Sequence, residues 1–213
     1  MMFDYSIAHW MTFLTAAILL NLSPGPDMAF ILSQTVKRGV PSGFSAMFGI
    51  WTGAFIHVIF AAVGLSAILA TSAIAFTGVK WVGAAYLIWL GIQALRSKGT
   101  NLSVKSQGPT KGLKKIFQQG VLVAVLNPKV AIFFLAFLPQ FVEVGAGPIS
   151  TQLFLHGFLI IVVGAMVEPP LVIIGGRLTN YLNTKNHLSR WMDRGLGALF
   201  LWLGYKLATS DRI

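Results

Sequence analysis

Apolar runs about as long as a bilayer is thick fill this sequence and leave little chain for anything else. They lie at about 7–32, 42–65, 67–95, 116–138, 152–174 and 188–207. A helix that crosses the hydrocarbon core needs roughly 20 mostly apolar residues at about 1.5 Å of rise each. Six crossings with short connections therefore use nearly all of the 213 residues, and no separate soluble domain fits. Charge agrees with this: 10% of residues are Asp, Glu, Lys or Arg, against roughly 25% in soluble domains. The expected fold class is an all-α membrane protein with six transmembrane helices.

The net charge of +10 does not indicate nucleic acid as a partner, because the basic residues sit between apolar runs rather than on a polar, foldable surface. They read instead as a topology signal. Lys37 and Arg38 follow the first run; Arg96, Lys98, Lys105, Lys111, Lys114 and Lys115 follow the third; Arg177, Lys185, Arg190 and Arg194 surround the link from the fifth to the sixth. The opposite side has Lys80, Lys206 and Arg212, with Lys129 inside a run. Basic loops stay in the cytoplasm, so both termini are expected on the far side, periplasmic for an inner-membrane protein. The N-terminal stretch carries Asp4 and no Lys or Arg before its first span, unlike a cleaved leader, and is expected to be retained. The absence of cysteine excludes disulfides, thiol relays and thiolate metal sites.

Two runs are interrupted in their interior. The first contains Asn21-Leu22-Ser23-Pro24-Gly25-Pro26-Asp27 and the fourth contains Asn127-Pro128-Lys129, and proline at these depths breaks a helix. A kink or re-entry is also expected at Phe76-Thr77-Gly78-Val79-Lys80, and a polar, basic cytoplasmic linker over about 98–115. The halves on either side of that linker, about 5–97 and 116–210, correspond. Leu22-Ser23-Pro24 matches Leu126-Asn127-Pro128, and Trp89-Leu90-Gly91 matches Trp202-Leu203-Gly204, in the same order. Repeats of three spans each must be oppositely oriented, so the expected architecture is a 3+3 inverted repeat with broken helices 1 and 4.

Those breaks carry the chemistry. In lipid every backbone polar group must be satisfied, so a helix broken at depth has to face protein or a wet cavity. Ser23 can cap a half-helix that starts at Pro24, and Asn127 one that starts at Pro128. Half-helix N-termini carry partial positive charge and free N–H groups, which suits a substrate carboxylate. The candidate substrate-binding set is therefore Ser23, Pro24, Gly25, Pro26, Asp27, Asn127, Pro128 and Lys129. Ionisable groups at membrane depth cost on the order of 3 kcal/mol on insertion scales, which singles out Asp27, His57, Lys129 and Glu168. Asp27 and Glu168, the latter beside backbone interrupted by Pro169-Pro170, are candidates for binding an ammonium or a proton, and His57 for shuttling protons. Lys129 can pair with either carboxylate or hold a substrate carboxylate. Trp51, inside the second run, is a weaker candidate for lining a cavity.

Together these residues resemble the LysE/RhtB amino-acid exporter superfamily, nearest its homoserine/threonine efflux branch. The resemblance rests on Leu22-Ser23-Pro24-Gly25-Pro26-Asp27, on Lys80-Trp81-Val82-Gly83-Ala84-Ala85-Tyr86-Leu87-Ile88-Trp89-Leu90-Gly91, and on Asn127-Pro128-Lys129 followed by Phe137-Leu138-Pro139-Gln140-Phe141. It implies six helices, a bacterial inner-membrane location and proton-driven export of an amino acid or derivative. Lysine, threonine, homoserine, leucine or an analogue remain open as substrates. Pro169-Pro170 is not part of the family's pattern, so Glu168 rests on its own chemistry.

The expected partners are a small zwitterion, protons and the lipid bilayer; a homodimer is compatible with the sequence, and no cofactor is called for. Three other functions fit the sequence less well. A metal-cation exporter would favour His-rich or acid-rich tracts, which four scattered histidines do not supply. A membrane scaffold would have no cavity around the breaks. A membrane enzyme needs a nucleophile or metal set that the sequence does not display.

Overall fold

A computed structural model of the chain describes residues 5–22, 25–67, 73–96, 112–175, 177 and 186–209. These form helices with no strand among the described residues: α1 (Ile7–Leu22), α2 (Pro26–Arg38), α3 (Val40–Phe60), α4 (Ala73–Leu95), α5 (Leu113–Val125), α6 (Pro128–Phe137), α7 (Ile149–Ile173) and α8 (Asn186–Thr209). A π-helical turn, Ala61–Leu65, extends α3, and a 3₁₀ turn, Leu138–Phe141, extends α6. Two helices, Val40–Leu65 and Ile149–Ile173, are long and apolar enough to cross a bilayer. The number rises to four if each of two bent pairs is one span, α1 with α2 at 48° and α5 with α6 at 56°. Both bends fall where proline interrupts the apolar runs.

Three pairings build the bundle. α3 and α5 run side by side in the same direction: Gly49 faces Phe117 and Gly120, and Gly53 faces Val121 and Ala124. α1 and α7 also run in the same direction, from Tyr5 beside Gln152, through His9 beside His156, to Asn21 beside Ile160. α4 and α8 run oppositely, with Gly91 against Gly197 and Leu201, and Gly204 against Ala84 and Ile88. Small residues let these backbones approach closely, as membrane helices do where no hydrophobic effect draws them together. A phenylalanine-rich core of Phe13, Phe133, Phe137 and Phe200 fills the middle. Large apolar side chains such as Ile7, Phe60, Val63, Met166 and Ile173 face outward, the surface expected against lipid and not against water.

The structure corrects three expectations. α4 runs without interruption through 76–80; Gly78 is a single weak residue with no proline beside it, and a lone glycine costs a helix only about 1 kcal/mol. α7 continues through Pro169 and Pro170 to Ile173, so the backbone near Glu168 is not broken. Two adjacent prolines remove two N–H donors close to the helix end, and the neighbouring helices hold the rest of the turn. The first half-helix starts at Pro26 with Gly25 as N-cap, not at Pro24. Ser23 and Pro24 lie outside the described residues, as does most of the expected linker; Leu113–Lys115, at its end, is already the first turn of α5.

Candidate functional site

The two breaks meet at one cavity. It is lined by Asn21 from α1, Gly25, Pro26 and Asp27 at the start of α2, Trp51 from α3, Asn127 and Lys129 at the start of α6, and Glu168 from α7. The remaining wall is apolar, including Leu20, Met28, Ile31, Ile50, Phe134 and Leu171. About 90 Å³ is open to the centre of a water-sized sphere, and one water needs roughly 10–15 Å³ on that measure. The space therefore holds several waters or one small solute.

Local sequence explains how each polar group arrives. Proline fixes a backbone angle that suits the first helical position, and it gives up only a donor that would have had no partner there. At the second break Asn127 adopts extended backbone and its Oδ1 accepts from the Lys129 N–H at 3.0 Å, a side-chain N-cap. Its Nδ2 donates across the cavity to Asp27 Oδ1 at 3.0 Å. One side chain thus caps α6 and fixes the carboxylate at the head of α2. Asp27 sits one residue inside α2, where the helix dipole favours negative charge, and it interacts electrostatically with Lys129 and His57. At the first break Gly25 is extended and makes no side-chain cap.

Glu168 is held by Trp51, whose Nε1 donates to Oε2 at 2.7 Å, a charge-assisted geometry. It lies close enough to Asp27 for the two carboxylates to interact. Asn21 binds back to the Ala17 carbonyl at 2.8 Å and reaches the Ile160 carbonyl at 3.3 Å, leaving its Oδ1 toward Gly164 and the cavity.

Gly25, Pro26, Asp27, Asn127, Lys129 and Glu168 are thus brought together at one place, with α6 opening at Pro128. His57 is not in the lining; its Nε2 lies 3.1 Å from the Ala124 carbonyl and ties α3 to α5. Sequence reasoning missed Asn21, although it stands first in the interrupted motif, and underrated Trp51. It also missed a second polar cluster of Tyr5, His9, Glu143, Gln152 and His156. His156 is three helical turns from Glu168 along α7, roughly 18 Å at 1.5 Å per residue. The i, i+4 pair Gln152 and His156 inside an apolar run was the available signal.

A family profile described as LysE type translocator matches residues 18–211. Among similar proteins, an uncharacterized membrane protein of Pseudomonas aeruginosa is 29% identical over 208 residues, covering 96% of both chains. Leucine efflux proteins of Salmonella choleraesuis and Salmonella paratyphi A are each 29% identical over 206 residues, covering 97% of both chains. No solved structure matches the chain.

Proposed function

Because the chain belongs to the LysE-type translocator family, we propose that it is a secondary transporter exporting an amino acid with an apolar side chain across the bacterial inner membrane. The observation that carries this reading is the pairing at the head of α2. A carboxylate, Asp27, stands beside a helix N-terminus that no described side chain caps, both facing one mostly apolar cavity. A zwitterion answers both features: its carboxylate meets the α2 N–H groups, with Lys129 adding positive charge. Its ammonium meets Asp27, with Glu168 near. The aliphatic wall takes the side chain, and the leucine efflux proteins among the relatives favour that over a hydroxylated substrate.

Proton coupling follows the same chemistry. Two carboxylates in one low-dielectric cavity repel each other, and a bound cation relieves the repulsion. Substrate ammonium and proton can therefore replace one another at Asp27 and Glu168, the exchange that antiport needs. His57 takes a positioning role at α5 in this scheme.

The proposed arrangement has six crossings: the two bent pairs, α3 with its π turn, α4, α7 and α8. Exchanging the halves maps the α1/α7 pair onto α5/α3, and both run in parallel, while α4/α8 maps onto itself and is antiparallel. Inverted three-helix repeats require those directions. The bias of basic residues toward the connectors favours both termini in the periplasm.

Vesicles loaded with leucine, threonine or lysine test the proposal. Leucine efflux driven by an imposed pH gradient is expected. Leaving a buried ammonium without its partner costs roughly 3–5 kcal/mol, so Asp27→Asn should slow efflux at least about 100-fold, with folding retained. Unchanged export in Asp27→Asn, Lys129→Ala and Glu168→Gln alike would sink the proposal.

A further inference from the structure

At the end of the α1/α7 pair away from the cavity, the second polar cluster is enclosed by aromatic rings. His156 is 1% exposed. Its Nδ1 lies 2.8 Å from the Gln152 carbonyl, which can only accept, so that nitrogen carries a hydrogen. His156 Nε2 lies 2.9 Å from His9 Nε2. His9 Nδ1 in turn lies 2.8 Å from Glu143 Oε1.

Each of these three contacts needs one hydrogen between its heavy atoms. Two neutral imidazoles carry two, and an ionised carboxylate carries none. The group therefore holds one proton more than neutral histidines beside an ionised Glu143. The count is the same for an imidazolium beside a carboxylate and for a neutral imidazole beside a carboxylic acid. Either way the group is neutral overall, which suits its burial.

The surroundings fit a positive ring at His9. The Tyr5 ring stacks on it with centroids 4.3 Å apart, a face that attracts cations. Trp10 stacks on His156, and Phe13 and Phe141 close the remaining sides. Among the described residues the titratable groups facing the cluster are Tyr5 from the chain before α1, His9 from α1, Glu143 from the 142–148 segment and His156 from α7. The Glu143 side chain is 44% exposed and that of His9 6%, so a proton reaches His9 from solvent by way of Glu143.

We propose that His9, His156 and Glu143 form a proton-binding site that ties the start of α1 and the 142–148 segment to α7 while it is occupied. Loss of the proton leaves two contacts but one hydrogen for the His156–His9–Glu143 chain. Either two bare Nε2 atoms face each other, or Glu143 loses its donor. One link breaks, and the hold of α7 on α1 or on the segment loosens at this end, while the hydrogen bonds of Gln152 to Tyr5, Glu143 and Gly147 remain. The site is separate from Asp27 and Glu168 and does not depend on which solute the cavity carries.

Nitrogen NMR of the full chain in lipid nanodiscs, labelled in histidine and titrated from pH 5 to 9, tests it. His9→Gln and His156→Gln assign the two rings. The expected result at low pH is three hydrogens on the four ring nitrogens, of which one leaves in a single step as the pH rises. As the proton leaves, amide exchange over 5–9 and 142–148, corrected for intrinsic rate, should rise roughly tenfold. Glu143→Gln, at a half-exposed position, keeps the fold and moves the step to lower pH, because the neutral amide no longer balances the ring's charge. Two neutral rings throughout, or a step with no change in exchange, overturns the proposal. So does a stoichiometric metal ion that a chelator removes with a shift of both Nε2 signals.

Discussion

Each of the two bent helix pairs is interrupted at a proline, yet the two breaks are finished differently. At the second, Asn127 caps its own half-helix and also reaches across to Asp27. At the first, Gly25 stands at the N-cap with no side chain to bond the first-turn N–H groups. The helices entering the breaks differ too. α5 leans on α3 through bare glycine backbone at Gly49 and Gly120, whereas α1 leans on α7 through side chains: Tyr5 to Gln152, His9 to His156 and Asn21 to the Ile160 carbonyl. One break is a closed structural joint. The other has no side-chain cap among the described residues and is attached through separate side-chain hydrogen bonds.

The largest effect should come from the glycine joint. A Cβ on Gly49 would overlap the Phe117 carbonyl oxygen, which is backbone and cannot step aside. Gly49→Ala is expected to destabilise by roughly 3 kcal/mol through overpacking, read as a fall in thermal midpoint in detergent. Gly64→Ala, with nothing within 4 Å of its Cβ, is the control and should leave the midpoint in place or raise it. Next is Asn127→Ala, which removes a cap worth about 1–2 kcal/mol and frees Asp27; both stability and efflux should fall. If stability alone falls, the reach across to Asp27 has no part in transport.

Gly25→Ser sharpens the contrast, because it puts at the first break what the second already has. Its extended backbone accepts any residue, so a serine cap should stabilise the fold by a few tenths of a kcal/mol. It should also weaken substrate binding by up to about tenfold by occupying the N–H groups the carboxylate needs. Improved binding would place the carboxylate elsewhere. The smallest effect is at Tyr5, whose phenol is pushed up to about 12 by burial and then by the Glu143 charge, from an ordinary value of about 10. The folded state favours the neutral phenol, so this contribution is complete below about pH 10 and is lost as pH rises toward 12. Tyr5→Phe should cost about 1 kcal/mol near neutrality through its lost hydrogen bond to Gln152. The gap should close under alkaline conditions, as followed by unfolding at stepped pH.

Much of the cavity was legible in the chain. The prolines at Pro26 and Pro128 mark the two breaks within their apolar runs, and Asp27, Lys129 and Glu168 stand out because charge is costly at depth. Their partners were less visible. Trp51 and Asn21 look like ordinary residues of a membrane helix until Glu168 and Gly164 are placed beside them. The proline pair at Pro169 and Pro170 looked like a third break and is not one, because neighbouring helices hold the turn that local sequence would abandon.

The sequence by itself determined the membrane class, the positions of the two breaks, the charges near them and the bias of basic residues toward one side. Each of those is a local property, fixed by how a few adjacent residues partition or rotate. Only the tertiary structure decided that Asn127 serves Asp27 across 100 residues of chain, and that His9 meets His156 across 147. A hydrogen bond depends on distances of a few tenths of an ångström between groups that only packing brings together, and no short-range pattern encodes that distance.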